Sequence, residues 1–384
     1  MNDLSILLAK KLSLTDKKKD GIFFTPSAIV KANLDKIFSF RKSFGEILEP
    51  SCGSCEFISE IVKRDTGKVT GIELNKIIYE NIKNLKFPDS KVEIILDDFL
   101  KKKFTKTFDL IIGNPPYFVI KKNEVPKELL SLVSGRPNIF ALFISKSLTL
   151  LNNDGILSFI LPKSFINTSY YMLLRQEINK NFTILSIENC NESFVETKQE
   201  TISFIIQKRK GDNVDFTIQI GNNLVFNTKE NILKLKNLLS NSSSLSRLGY
   251  SVKIGNIVWN DHKNNLCDIG ETRLIYSSDI TESKTLNISQ FKNQHKKNYI
   301  NYPGVNEVVL LVNRGYGVGE YKFKYAKTNC RYLVENHLLI ISDGDLDKII
   351  KSFEDPRTKE FIDIYFGNGA INSNEMKEIF PIYI

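Results

Sequence analysis

The segment DLIIGNPPYFVI (residues 109–120) opens as a buried strand and then stops in an unusual way. Asp109 to Gly113 is mostly apolar, and Asn114, Pro115, Pro116 and Tyr117 follow at once. Two consecutive prolines cannot donate to a sheet ladder, and they stiffen the chain beyond the strand. Such a stop either only turns the chain or holds an amide, a bare carbonyl and an aromatic face in one arrangement. The neighbouring segments decide between these.

Outward from this strand, short apolar or β-branched runs alternate with amphipathic stretches, the pattern of βαβ units. Strands are expected at 46–51, 69–74, 92–98, 108–114, 155–162, 184–190 and 201–208. Helices fit at 27–38, 55–65 and 139–151, the last stopped by NNDG (152–155). The Ser/Asn-rich segment NLLSNSSSLSRLG (237–249) reads as a linker or loop. Beyond it aromatics, Asn, Gly and Lys recur in irregular runs without βαβ rhythm. An α/β domain over 1–240 and a smaller mixed domain over 241–384 are therefore expected.

The bulk composition limits what such a chain does. Its 384 residues are 42% hydrophobic and 25% charged, with no apolar run long enough to span a bilayer and no secretory leader. Five cysteines, an odd number, argue against a disulfide framework and for a reducing, cytoplasmic setting. A net charge of +9 suits a polyanionic partner, although an AT-rich genome, which favours Lys, Asn and Ile, produces the same excess.

In a doubly wound sheet, ligands bind outside the carboxyl ends of the strands. The first expected strand ends in EPSCGSC (49–55), whose small residues let backbone approach a ligand ahead of a helix N-terminus. The second ends in Glu73, about twenty residues on, where a carboxylate suits ribose hydroxyls. Asp97-Asp98-Phe99 ends the third, an acid and a ring suited to an adenine. The fourth carries Asn114-Pro115-Pro116-Tyr117. Each feature alone has a plain structural explanation; in order, one per strand, they point to a nucleoside-containing cofactor. There is neither a G-x-x-x-x-G-K-[ST] loop nor a full G-x-G-x-x-G, so a cofactor without a pyrophosphate fits best, and S-adenosylmethionine is the candidate.

This series resembles the motifs of the gamma-class DNA N6-adenine methyltransferases of type II restriction–modification systems, in order over about residues 21–208. The resemblance implies a Rossmann-like, S-adenosylmethionine-dependent domain with a seven-stranded, mostly parallel sheet, followed by a smaller mixed α/β target-recognition domain. It implies that Thr25, in GIFFTPSAIV (21–30), binds the methionine carboxylate, with Glu49, Ser51 and Gly53 beside the methionine part and Glu73 on the ribose. Asp98 and Phe99 would contact the cofactor's adenine, and Phe143 would close over its other side. Asn114, Pro115, Pro116 and Tyr117 would be catalytic, with Tyr117 and Phe194 stacking on the target base. One departure is Cys55, where most members carry Gly. Cys52 and Cys55 spell C-x-x-C, but Cys190, Cys267 and Cys330 are isolated, so no metal is expected.

Chemistry gives the NPPY stop a purpose. The amino nitrogen of adenine is a poor nucleophile because its lone pair is delocalised into the ring. The Asn114 side-chain oxygen and the Pro115 carbonyl can accept its two hydrogens and free that pair, with no strong base. The three histidines, His262, His295 and His337, all lie later in the chain. A target inside a duplex has to be flipped out first. In the second domain Asn260, His262, Lys263, Arg314 and Tyr316 are of the residue types that contact phosphates and base edges. Double-stranded DNA is the expected partner of a monomeric enzyme, and cleavage belongs to a separate cognate endonuclease, since no nuclease motif is visible. Methylation of RNA or of a protein glutamine amide, and a catalytically silent DNA-binding module, remain alternatives.

Overall fold

In the computed structural model the apolar runs of the first half become seven strands: β1 (Glu46–Glu49), β2 (Lys68–Glu73), β3 (Lys91–Leu96), β4 (Phe108–Gly113), β5 (Leu151–Pro162), β6 (Thr183–Asn189) and β7 (Thr201–Gln207). The structure describes residues 3–13, 21–65, 67–87, 91–132, 135, 138–190, 200–315, 322–366 and 369–384. The strands form one sheet in the order β3-β2-β1-β4-β5-β7-β6. β1 to β5 run parallel, and β7 is antiparallel to both β5 and β6. β4 lies between β1 and β5, and its Leu110, Ile111 and Ile112 are fully buried. A parallel strand covered on both faces has no solvent side, hence its unbroken apolar run.

Successive residues of these strands feed two separate cores. Ile47, Leu110, Ile112, Ile156 and Ile160 pack on one face, against α1 (Asp3–Lys11), α2 (Ser27–Phe40), α3 (Glu56–Ile61) and α4 (Lys76–Ile82). Leu48, Ile111, Leu157 and Phe159 pack on the other, against α5 (Ile139–Leu150) and α6 (Met172–Asn181). Truncating one of these buried aliphatics to Ala costs about 2–5 kcal/mol. Asparagines start two of the helices: Asn75 accepts from the Ile77 and Ile78 amides, and Asn138 from that of Phe140.

Several boundaries differ from the sequence reading for identifiable reasons. α3 stops at Ile61 rather than 65, because the Asp65 carboxylate accepts from the Phe44 (2.7 Å) and Gly67 (2.9 Å) amides and pins the chain to the entry of β1. NNDG does not form a loop between α5 and β5. The strand begins at Leu151 directly after the helix and carries these residues, with a register irregularity and Asp154 at φ 59°. α1, α4, α6 and the hairpin β8 (Thr217–Ile220) and β9 (Asn223–Phe226) add to the elements expected.

The chain divides into two units between Ile232 and Leu233, inside α7 (Lys229–Ser240). The stretch 237–249 is thus no free linker. It starts within this helix, where Leu235 and Leu238 are buried at helical spacing, and Ser243 then pairs with Ile382. The second unit has two four-stranded sheets. One orders β10 (Ser251–Ile254), β17 (Leu338–Ser342), β14 (Leu310–Asn313) and β15 (Tyr325–Lys327), all antiparallel. The other orders β11 (Leu266–Cys267), β13 (Tyr299–Ile300), β12 (Arg273–Ile275) and β16 (Tyr332–Val334). Phe323, Phe353 and Phe380 form an aromatic core beside α8 (Leu346–Glu354) and α9 (Pro356–Tyr365), with ring centroids 5.0–5.5 Å apart.

Candidate active site

Strand order reverses at β1, which has β2 on one side and β4 on the other. A ligand crevice opens at such a switch point, beyond the carboxyl ends of the strands. The loops after β1 and β4 meet there: Ser51 Oγ donates to the Asn114 carbonyl at 3.2 Å.

After β1, Glu49 is only 2% exposed, and its Oε2 has no hydrogen-bond partner. Burial and the neighbouring Cys55, Glu73 and Glu56 hold its carboxyl well above the usual range. Glu73, at the end of β2, accepts from the Gly53 amide (2.9 Å) and the Asn75 amide (2.6 Å), yet burial pushes it up to about 7. A buried acid with an orphan oxygen favours its protonated form until a cationic neighbour compensates the charge. Glu56 is also buried, but it accepts from Ser5 Oγ (2.6 Å) and Ser27 Oγ (3.5 Å), which tie α1 and α2 to the loop.

Cys55 explains itself through the backbone. It precedes α3 at φ 61°, ψ 31°, the left-handed region that glycine favours, and it is fully buried in the core under the loop. The Cys52 thiol, also buried, hydrogen-bonds to it and is pushed up by that bond and by burial. Both cysteines are free thiols. Among the described residues no group of three His, Cys, Asp or Glu is placed to hold a metal ion.

After β3, the backbone of Asp97 continues the ladder by donating to the Glu73 carbonyl (3.0 Å). Asp98 closes the turn, accepting from the Leu100 amide (2.9 Å) with Lys101 Nζ 3.2 Å away. The resemblance implies a base held between Phe99 and Phe143. In the structure these rings instead touch, with centroids 4.9 Å apart and both residues buried. A flat base between two rings needs about 7 Å, twice the contact distance of carbon atoms, and these two rings leave no such gap. Lys146, which the sequence did not single out, braces the loop by donating to the Leu100 and Lys102 carbonyls (2.9 and 2.7 Å). Its pattern within α5 gives no sign of this, because its acceptors are backbone atoms.

After β4, Asn114 is fixed at both ends of its amide. Nδ2 donates to Thr25 Oγ1 (3.1 Å) and to the Phe23 carbonyl (3.3 Å). Oδ1 lies 2.5 Å from the Tyr117 hydroxyl, which is also 2.7 Å from the Ile160 carbonyl and donates to one of them at a time. Burial holds the Tyr117 phenol well above its ordinary range, so it stays neutral and a donor. The Tyr117 ring stands edge-on to Phe140, with centroids 6.1 Å apart. Pro115 is buried and Pro116 half-buried. Phe194 lies outside the described residues.

In the second unit Asn260 and Lys263 are exposed, with Lys263 Nζ 5.8 Å above the Trp259 ring. His262 Nδ1 is 3.2 Å from the Tyr302 hydroxyl. Arg314 is committed to its own unit: Nη1 donates to the Asn336 carbonyl (3.1 Å) and Nε to that of Ile371 (3.4 Å). Tyr316 lies outside the described residues.

Seven strands in this order, with β7 alone reversed, make the sheet of a Rossmann-like methyltransferase. Hydrogen bonds join Ser51 to Asn114, Gly53 to Glu73 and Thr25 to Asn114 at the carboxyl ends of its strands. Comparison with known proteins narrows the class. The family model of the Eco57I restriction-modification methylase matches residues 3–196. The Type II methyltransferase M.CvrRI of Paramecium bursaria Chlorella virus XZ-6E is 30% identical over 393 residues, covering 99% of this chain and 98% of the viral protein. The modification methylase CviBIII of Paramecium bursaria Chlorella virus NC1A is 29% identical, covering 97% and 96%. The chain belongs to the Eco57I restriction-modification methylase family. Among solved structures, that of the DrdV–DNA complex shares the fold at a TM-score of 0.50 and 16% identity, over 94% of this chain and 55% of that one.

Proposed function

We propose that this protein transfers a methyl group from S-adenosylmethionine to the N6 amino group of an adenine flipped out of duplex DNA. As a restriction–modification methylase it is a DNA methyltransferase, and S-adenosylmethionine is its cofactor. The orphan Glu49 Oε2 fits the methionine ammonium, and Thr25 the methionine carboxylate. On this reading Glu73 would hold the ribose, Ser51 and Gly53 would let the loop approach the methionine part, and Asp98 and Phe99 would meet the base edge. When bound, the cofactor supplies a methyl group on a positively charged sulfur.

The protein's own part is to prepare the amine. The observation that carries the reading is the fixed Asn114 amide, which keeps Oδ1 as an acceptor. With the Pro115 carbonyl it accepts the two amino hydrogens, draws the nitrogen towards tetrahedral geometry and frees its lone pair. The proton lost after transfer goes to water, since no strong base is required. Stacking on Tyr117 and Phe194, worth roughly 1–3 kcal/mol per base, offsets much of the few kcal/mol spent on flipping. Residues from about 241 onwards would read the target sequence, with Asn260, His262 and Lys263 among the contacts, and a separate endonuclease would cut unmodified sites.

Methyl transfer from labelled S-adenosylmethionine to duplex DNA, with RNA and a protein extract in parallel, tests this directly. Label is expected in N6-methyladenine from DNA, with its rate of appearance lowered by about 10²–10³ in Asn114→Ala. Label confined to RNA or protein would overturn the substrate.

A further inference from the structure

The sequence GIFFT (21–25) resembles a cofactor segment, but in the structure it also backs the catalytic turn. Gly21 sits at φ +62°, and a Cβ there would lie 2.9 Å from the Tyr117 amide nitrogen and 3.2 Å from Pro116 Cβ. No side chain fits between the two stretches. Two residues on, the Phe23 carbonyl reaches Asn114 Nδ2, and Thr25 Oγ1 reaches the same nitrogen, with Thr25 only 5% exposed.

An asparagine amide has nearly the same shape in its two flipped states, but they exchange an acceptor for a donor. A backbone carbonyl only accepts, so the end of Asn114 facing Phe23 is Nδ2. The Thr25 oxygen accepts the second Nδ2 hydrogen, while its own hydroxyl hydrogen points elsewhere. The flipped amide would set Oδ1 against the Phe23 carbonyl, acceptor to acceptor, and would offer a donor to an amine that needs an acceptor.

We propose that Thr25, together with the Phe23 carbonyl, is a positioning residue that locks the Asn114 amide with Oδ1 toward the target amine. This rests on the methyl-transfer reading above and adds a second task for a residue assigned to the methionine carboxylate. The two tasks separate experimentally: a carboxylate contact governs cofactor affinity, whereas an amide lock governs the rate at saturating cofactor. Misplacing a reacting group by about 1 Å can cost on the order of 100-fold in rate.

The test uses the full chain with Thr25→Val, which keeps the shape and loses the acceptor, and Thr25→Ser, which keeps the acceptor. The Val variant is expected to lower the single-turnover rate roughly 10- to 100-fold at saturating S-adenosylmethionine. Its cofactor affinity by calorimetry falls by no more than about tenfold, the loss of one carboxylate contact, so the drop in saturated rate is separate from it, and the Ser variant recovers the rate to within about threefold. An independent readout is hydrogen exchange of the Asn114 side-chain amide in asparagine-labelled, cofactor-free protein, assigned against Asn114→Ala. Protection is expected in the wild type and the Ser variant and is lost in the Val variant. Weakened cofactor binding with an unchanged saturated rate, or unchanged protection in the Val variant, would overturn the lock. Should the Val variant fail to fold, Thr25→Ala is scored by the same two measurements. A wild type that transfers no label to adenine yet protects the Asn114 amide would sink the functional reading alone.

Discussion

The loops after β1 and β4 touch through Ser51 and the Asn114 carbonyl, yet they are built on opposite electrostatic plans. The first buries carboxylates and leaves an oxygen of Glu49 without a partner, so it is unsatisfied until a cation arrives. The second holds a neutral, half-buried amide and gives both its ends partners. A binding loop gains from a group that its ligand alone satisfies, because the ligand then supplies the missing interaction. A catalytic group gains from being satisfied in advance, because its geometry is then fixed before reaction.

The widest expected separation comes from one substitution in each loop. Asn114→Ala should lower the single-turnover rate by about 10²–10³ and leave cofactor affinity nearly unchanged. Glu49→Gln should weaken cofactor binding roughly 10- to 100-fold, with a near-normal rate at saturation, since charged hydrogen bonds are worth about 1.5–3 kcal/mol. Calorimetry paired with single-turnover transfer reads both, and the division between the loops collapses if each variant changes both quantities alike.

A second test concerns pH. Folded Glu73 keeps its proton to about pH 7, whereas the unfolded chain releases it near the ordinary value of 4.5. Between those values the folded state binds more protons, so this group's contribution makes stability fall as pH rises, by up to roughly 3 kcal/mol, and then level off. Denaturant unfolding of cofactor-free protein from pH 5 to 8 should show a flatter slope in Glu73→Gln than in the wild type. Identical slopes would remove the burial penalty assigned to Glu73 at the end of β2.

Smaller effects sharpen the same contrast. Gly21→Ala forces a methyl group against the Tyr117 backbone at a positive φ, so it should cost about 1–3 kcal/mol in denaturant unfolding. It should also slow transfer without changing cofactor affinity. At Cys55 the backbone strain and the buried volume oppose each other. Cys55→Gly relieves the left-handed φ, while Cys55→Ala loses the thiol and keeps the strain. Gly should therefore be more stable than Ala there by about 1 kcal/mol, measured by thermal unfolding.

The sheet was legible because each central strand is buried on both faces and leaves a continuous apolar run, as at Leu110 to Ile112. The residues at the strand ends were legible by type and order. Their partners were not, because the Phe23 and Ile160 carbonyls that flank Asn114 and Tyr117 are backbone atoms, which any residue supplies. NNDG misled for a related reason: turn residues mark a break in a helix, but the pairing of Leu151 with Phe108 across the sheet starts the strand before them. The Phe99–Phe143 contact shows a further gap, since spacing along the chain carries no information on the distance between two rings.

The contact between Thr25 and Asn114 joins residues 89 apart in the chain. During synthesis the earlier segment leaves the ribosome long before the turn that it supports, and between them lie the first four strands. Contacts of such separation form late, after the loops between them have closed. The Asn114 amide therefore acquires its orientation only once β1 to β4 are assembled. In the proposed mechanism, a chain that has not yet closed these loops lacks the oriented Asn114 amide.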